Sequence, residues 1–251
     1  MIHAFNVDIS DISDISDISF LPKASEFRDD KLPDFFQEKM PEKMQNDKKV
    51  LDGKKLEDSW FKPVTADFFI SHKREDSDKA KRLGAYLQSE GKSVFIDSCI
   101  WGSVYRLQKI LDDEYCQNDD EKTYSYKKVM KSTSYTHMLL TNALLKTLEN
   151  CENFIFLNTK NSIPAENIIE DTSETNSPWI YFEINVANAL LREKFKIGQF
   201  SESKENYDGF PEMAFEADLK NFQKVNVKKL LDCLNIPIQE KQNQNKNFFG
   251  Y

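Results

Sequence analysis

The chain has 251 residues, with 34 Lys or Arg against 42 Asp or Glu, a formal net charge of −8, and 39% hydrophobic and 30% charged residues. That length suits one large domain, or a domain of about 150–200 residues with an appendage, and 19 Phe, 9 Tyr and 3 Trp are enough for a core. An acidic chain without a basic stripe is poorly suited to nucleic acid, and no apolar run approaches the roughly 18–20 residues of a membrane span.

The N-terminus is acidic and lacks a basic-then-apolar leader, so the expected location is cytoplasmic, with no membrane partner. Cys99, Cys116, Cys151 and Cys233 are scattered, and His3, His72 and His137 lie at no ligand spacing to them. Neither a disulfide framework nor a metal site is expected.

In chain order, Asp-Ile-Ser occurs four times in tandem over residues 8–19, a period that matches neither helix nor strand. A polar stretch with Pro22, Pro33 and Pro41 follows. Residues 1–59 therefore read as an irregular extension, the alternative being a short helical pair near residues 34–44. The texture changes at Ser59. Residues 66–71 are a short apolar run, as in a buried parallel strand. Asp76 or Ser77 can cap a helix that carries Ala80, Leu83, Gly84 and Leu87 on one face and ends at Gly91. A second strand is expected at 93–97, a loop at 98–103 and a helix from Val104 to about Tyr115. Residues 116–134 read as a polar insertion, and residues 137–150 as a helix. A third strand is expected at 153–158, then an acidic loop at 161–176. Ser177 caps the next helix, with Pro178 at its first position. Residues 212–219 alternate weakly, residues 227–234 form a short helix, and residues 237–251 are a polar tail.

Strands alternating with helices predict an α/β fold with a parallel sheet flanked by helices. Ligands of such sheets bind beyond the carboxyl ends of the strands. That rim carries Ser71, His72, Asp97 and Asn158.

The helix from Pro178 holds an anomaly. At about 100° per residue, with Trp179 at zero, Val186 falls near about −20°, Leu190 near about 20° and Phe182 near about −60°. Glu183 falls at about 40°, inside the apolar arc. A carboxylate there needs a partner, a raised pKa or a cleft. It either snorkels to a nearby Lys or serves a site.

Ser177-Pro178-Trp179-Ile180-Tyr181-Phe182-Glu183 resembles the Ser-x-Trp-Cys-x-x-Glu signature of TIR (Toll/interleukin-1 receptor) domains. Residues 68–76, Phe-Phe-Ile-Ser-His-Lys-Arg-Glu-Asp, resemble their first box. Residues 93–97, followed by a loop with Gly102, resemble their second strand and BB loop. The segments occur in family order over roughly residues 60–234. Ile180 replaces the usual Cys, and the span 116–150 is longer than usual.

The resemblance implies a flavodoxin-like TIR fold over residues 60–236. It also implies cleavage of NAD+ between nicotinamide and ribose, with Glu183 as the catalytic residue, NAD+ as substrate and no cofactor or metal. Nicotinamide leaves NAD+ as a neutral molecule and needs no general acid, so one carboxylate can serve an oxocarbenium-like ribose. Substrate-binding roles then fall to the rim. Ser71, His72, Lys73 and Arg74 face the diphosphate, unless they are solvated or packed loop residues. Asp97 either binds substrate or caps a turn. Trp101 either stacks on a base or fills a gap, and Trp179 is either core or pocket wall. His137 reads as structural. Loops 116–134 and 161–176 are candidate lids. The product is ADP-ribose or a cyclic isomer. A standalone chain of this kind resembles the signal-producing component of anti-phage systems such as Thoeris, in which a separate effector protein reads the product. Self-association through TIR–TIR contacts is also implied. A second reading is a non-catalytic scaffold that assembles through residues 98–106, with Ile100 and Trp101 as anchors. A third is a nucleoside deoxyribosyltransferase with the same carboxylate as nucleophile.

Overall fold

The computed structural model describes residues 2–9, 21–28, 40–45, 48–96, 98, 104–118, 122–163, 174–191 and 215–238. In chain order these contain strand β1 (His3–Asp8), the hairpin β2 (Glu42–Gln45) and β3 (Lys48–Leu51), and helix α1 (Gly53–Trp60). Next come β4 (Ala66–Ser71), α2 (Ser77–Ser89), β5 (Val94–Phe95), α3 (Val104–Tyr115), α4 (Tyr126–Glu149) and β6 (Cys151–Asn158). The chain continues with β7 (Glu174–Thr175), α5 (Pro178–Leu191), β8 (Phe215–Glu216), β9 (Gln223–Val225) and α6 (Val227–Cys233).

Five strands form one sheet in the order β5-β4-β6-β1-β9, and every pairing in it is parallel. The spatial order is the 2-1-3-4-5 of flavodoxin-like sheets, with one difference. The fourth place, between β6 and β9, is filled by the strand that comes first in the chain. The N-terminal segment is therefore no irregular extension over its whole length, which corrects the sequence expectation. Residues 3–8 have alternating apolar positions that serve both faces: Phe5 and Val7 enter one core, Ile2 and Ala4 the other. A strand buried on two faces shows little period of its own, and the adjacent Asp-Ile-Ser repeat masks it in the sequence. Residues 42–45, at the edge of the expected helical pair, are a strand; residues 34–39 lie outside the described residues. Helix α1 packs on α4, where the Glu57 carboxylate accepts from Lys146 Nζ and from Asn142 Nδ2.

The two sheet faces carry separate cores. On one, Phe69, Phe95, Phe154 and Phe156 meet α3, α4 and α5. On the other, Phe68, Ile70, Ile155 and Leu157 meet α2 and α6. Ala80, Leu83 and Leu87 of α2 are fully buried, as their spacing requires. Gly91, at φ 77°, ends the helix in the left-handed region. The β4–β5 edge is tied by Asp67, whose carboxylate accepts from the Ser93 amide at 2.7 Å and its hydroxyl at 2.8 Å. The amide bond foremost holds Asp67 below its ordinary value.

The expected helix at 137–150 is longer. It starts at Tyr126, and its first half is held on α3, with the buried Ser132 bonded through Oγ to Asp112 and Gln108 bonded to Thr133. Much of the expected insertion is thus helix. The expected tail is anchored at its start, since Tyr86 Oη donates to Pro237 O at 2.5 Å.

Candidate functional site

Helix α5 starts where its sequence says. Ser177 Oγ accepts from the Ile180 amide at 3.4 Å, and Thr175 Oγ1 accepts from the Ser177 amide at 3.2 Å. The turn before the helix is pinned by a short ribbon in which Thr175 of β7 pairs with Phe215 of β8. Tyr181 stacks on Phe215 with centroids 5.0 Å apart. From that anchored start, Ile180, Ile184 and Ala187 go into the core, and Glu183 goes with them.

Glu183 is 2% exposed. Its Oε2 accepts from Ser71 Oγ at 2.5 Å, the length of a charge-assisted O–H···O bond. Ser71 is the last residue of β4, and alternation places it on the face that carries Phe69. The carboxylate is therefore held at the carboxyl end of the sheet. It stands beside the gap between β4 and β6, the topological switch point of this strand order. Trp179, one turn earlier, is half-buried against the core and meets His137 of α4 edge-on, with centroids 5.7 Å apart.

A second buried carboxylate spans the same gap on the other side of Ser71. Asp76 is 1% exposed. Its Oδ2 accepts from Thr159 Oγ1 at 2.6 Å, and its Oδ1 accepts from Asn161 Nδ2 at 3.1 Å and Lys79 Nζ at 2.8 Å. Ser162 completes the knot, with its hydroxyl accepting from the Thr159 amide at 2.8 Å. The loop after β4 is thus tied to the loop after β6, the two loops that border the crevice. Asp76 stands at the start of α2, but its side chain does not cap that helix.

His72 is buried, with Nε2 3.1 Å from Ser98 Oγ, while Nδ1 has no partner among the described residues. Lys73 is half-buried and Arg74 exposed, both in the loop that leads into α2. Of these four, Ser71 touches the Glu183 carboxylate, and His72, Lys73 and Arg74 follow it in the chain. Asp97 and Trp101 lie outside the described residues, as do Ile100 and most of the 161–176 lid, whereas most of the 116–134 lid is described and is in large part the start of α4. Burial pushes the Cys151 thiol up to about 12 and raises that of Cys116, so neither supplies a thiolate at neutral pH. Among the described residues no group of three His, Cys, Asp or Glu is placed to hold a metal ion, and no helix is long and apolar enough to cross a membrane.

Comparisons with family models, curated proteins and solved structures give no match for this chain. The site stands on its geometry. Thr159, Asn161 and Ser162 have no sequence signal beyond small polar residues after a strand. Asn6, treated below, had one: a polar residue between Phe5 and Val7 inside an apolar run.

Proposed function

We propose that this chain is a TIR-type enzyme that cleaves NAD+ at the nicotinamide–ribose bond. The observation that carries the proposal is Glu183, a carboxylate 2% exposed, held by Ser71 at the carboxyl rim of a parallel sheet in flavodoxin-like order. The first-box and Trp-x-x-x-Glu resemblances converge on that contact, since they supply Ser71 and Glu183 respectively.

The chemistry asks little else of the protein. The bond between ribose C1′ and the pyridinium nitrogen breaks, and its electron pair goes to that nitrogen. Nicotinamide leaves neutral. Positive charge develops on the ribose, where an ionised carboxylate in a dry setting stabilises it more than water would. Ser71 fixes the carboxylate so that little reorganisation is needed. Water then attacks C1′ and yields ADP-ribose and a proton; an internal nucleophile yields a cyclic isomer instead. The Asp76 knot keeps both rim loops in place around the reacting sugar. The same proposal places the product as a signal for a separate effector protein, in a cytoplasmic defence role with TIR–TIR assembly.

Mass spectrometry of NAD+ incubated with the purified protein tests this. Nicotinamide release is expected, and Glu183→Gln should lower it by at least about 100-fold. Equal release from both proteins, or intact NAD+ under assembly-promoting conditions, overturns the enzyme and leaves the scaffold reading.

A further inference from the structure

Asn6 is out of place as a core residue. It lies in β1, which is paired on both edges, with β6 and with β9. Phe5 and Val7 face the α2 and α6 side, while Ala4 joins the core under α5. Alternation sends Asn6 to the α5 side as well, and α5 packs against β1. Asn6 is 6% exposed, and its Oδ1 has no hydrogen-bond partner among the described residues. Buried side-chain carbonyls are nearly always satisfied, so this one is built for something else to satisfy.

The register says what stands across from it. Asn6 pairs with Phe156, and Phe156 pairs with Ser71. The three form one transverse row on one face near the carboxyl end of the sheet. Ser71 is the residue that holds Glu183. With strands about 4.8 Å apart, the Asn6 and Ser71 backbones are separated by about 10 Å, with the flat Phe156 side chain between them. A polar acceptor and the hydroxyl that holds a buried carboxylate thus share one row with Phe156, itself fully buried.

We propose that Asn6 is a ligand-binding residue of this site, its amide oxygen accepting from an uncharged donor of the bound nucleotide, a ribose hydroxyl or a carboxamide N–H. The assignment rests on the glycosyl-cleavage reading of Glu183. A carbonyl acceptor does not suit phosphate, and its place in the row with Ser71, which holds Glu183, assigns the donor to the part of the ligand nearest the scissile bond.

Isothermal titration calorimetry with ADP-ribose and, separately, nicotinamide tests it on the full chain, alongside thermal melting. Asn6→Leu, of the same branched shape but apolar and larger, is expected to keep the fold while weakening one of the two probes at least about tenfold. Asn6→Ala is the second variant and decides the matter if the leucine does not pack. A loss confined to ADP-ribose names the hydroxyl, and a loss confined to nicotinamide names the carboxamide; either supports the assignment. Unchanged affinity for both probes in a folded variant overturns it, as does a wild-type chain that binds neither. The two readings fail separately. NAD+ left intact by a wild-type chain whose ADP-ribose affinity still depends on Asn6 removes the cleavage reading alone, whereas NAD+ consumed at the wild-type rate and KM by Asn6→Leu removes the Asn6 assignment alone.

Discussion

A carboxyl group taken out of water needs hydrogen-bond partners to replace the lost hydration. Two residues here meet that condition in different ways. Glu183 accepts from a hydroxyl on the neighbouring strand, whereas Asp76 collects donors from two loops and from Lys79. The Asp76 arrangement is structural in the first place. Asp76→Ala removes the acceptor of the buried Thr159 Oγ1, while the exposed Asn161 can turn its amide to water. We expect a loss of about 3 kcal/mol, or roughly 6–12 °C in Tm for a domain of this size. Thermal melting checks it, and a shift under about 2 °C counts against the knot. Lys79 can reach water, so its ion pair contributes the smaller part.

At the scale of elements, α2 is the most legible piece and also the most constrained. Its buried stripe and its glycine stop were both present in the local spacing, and the helix forms at Ser77–Ser89. What the spacing did not carry is the reason for Gly84 within the stripe. A Cβ there would lie 2.7 Å from the Phe27 ring, because residues 24–26 and Phe27 dock on this helix. Alanine raises helix propensity by about 1 kcal/mol, but overpacking costs about 1–3 kcal/mol. Gly84→Ala should therefore destabilise the wild-type chain by up to about 2 kcal/mol. In a Phe27→Leu background the sign should reverse, since the ring is gone and the propensity gain remains. Urea denaturation of the four chains of that cycle measures the coupling, and additive values would refute the docking of Phe27 on Gly84.

The molecule as a whole depends on its first residues. β1 separates β6 from β9, and it buries Ala4, Phe5 and Val7 along with the preceding Ile2. Burial of those side chains contributes about 5–8 kcal/mol, comparable with the whole stability of a typical domain. A chain that begins at residue 60, the boundary expected from the sequence, should lose its cooperative melt by circular dichroism. A cooperative transition within a few degrees of the full chain would be incompatible with the five-strand sheet. The same strand carries Asn6, so truncation designed to isolate the domain would remove part of the candidate site.

The sequence determined by itself those features that depend on near neighbours. Strands over 66–71 and 153–158, the helix from Pro178 with its Ser177 cap, and an acid within that helix's apolar arc all follow from periods of two and 3.6 and from capping chemistry. Tertiary structure decided what lies across the sheet. Only packing brought Ser71 to Glu183, Asp76 to Thr159 and Asn161, and the first strand to the fourth place. Such contacts join residues many tens of positions apart, so no local period encodes them; they depend on which faces bury together.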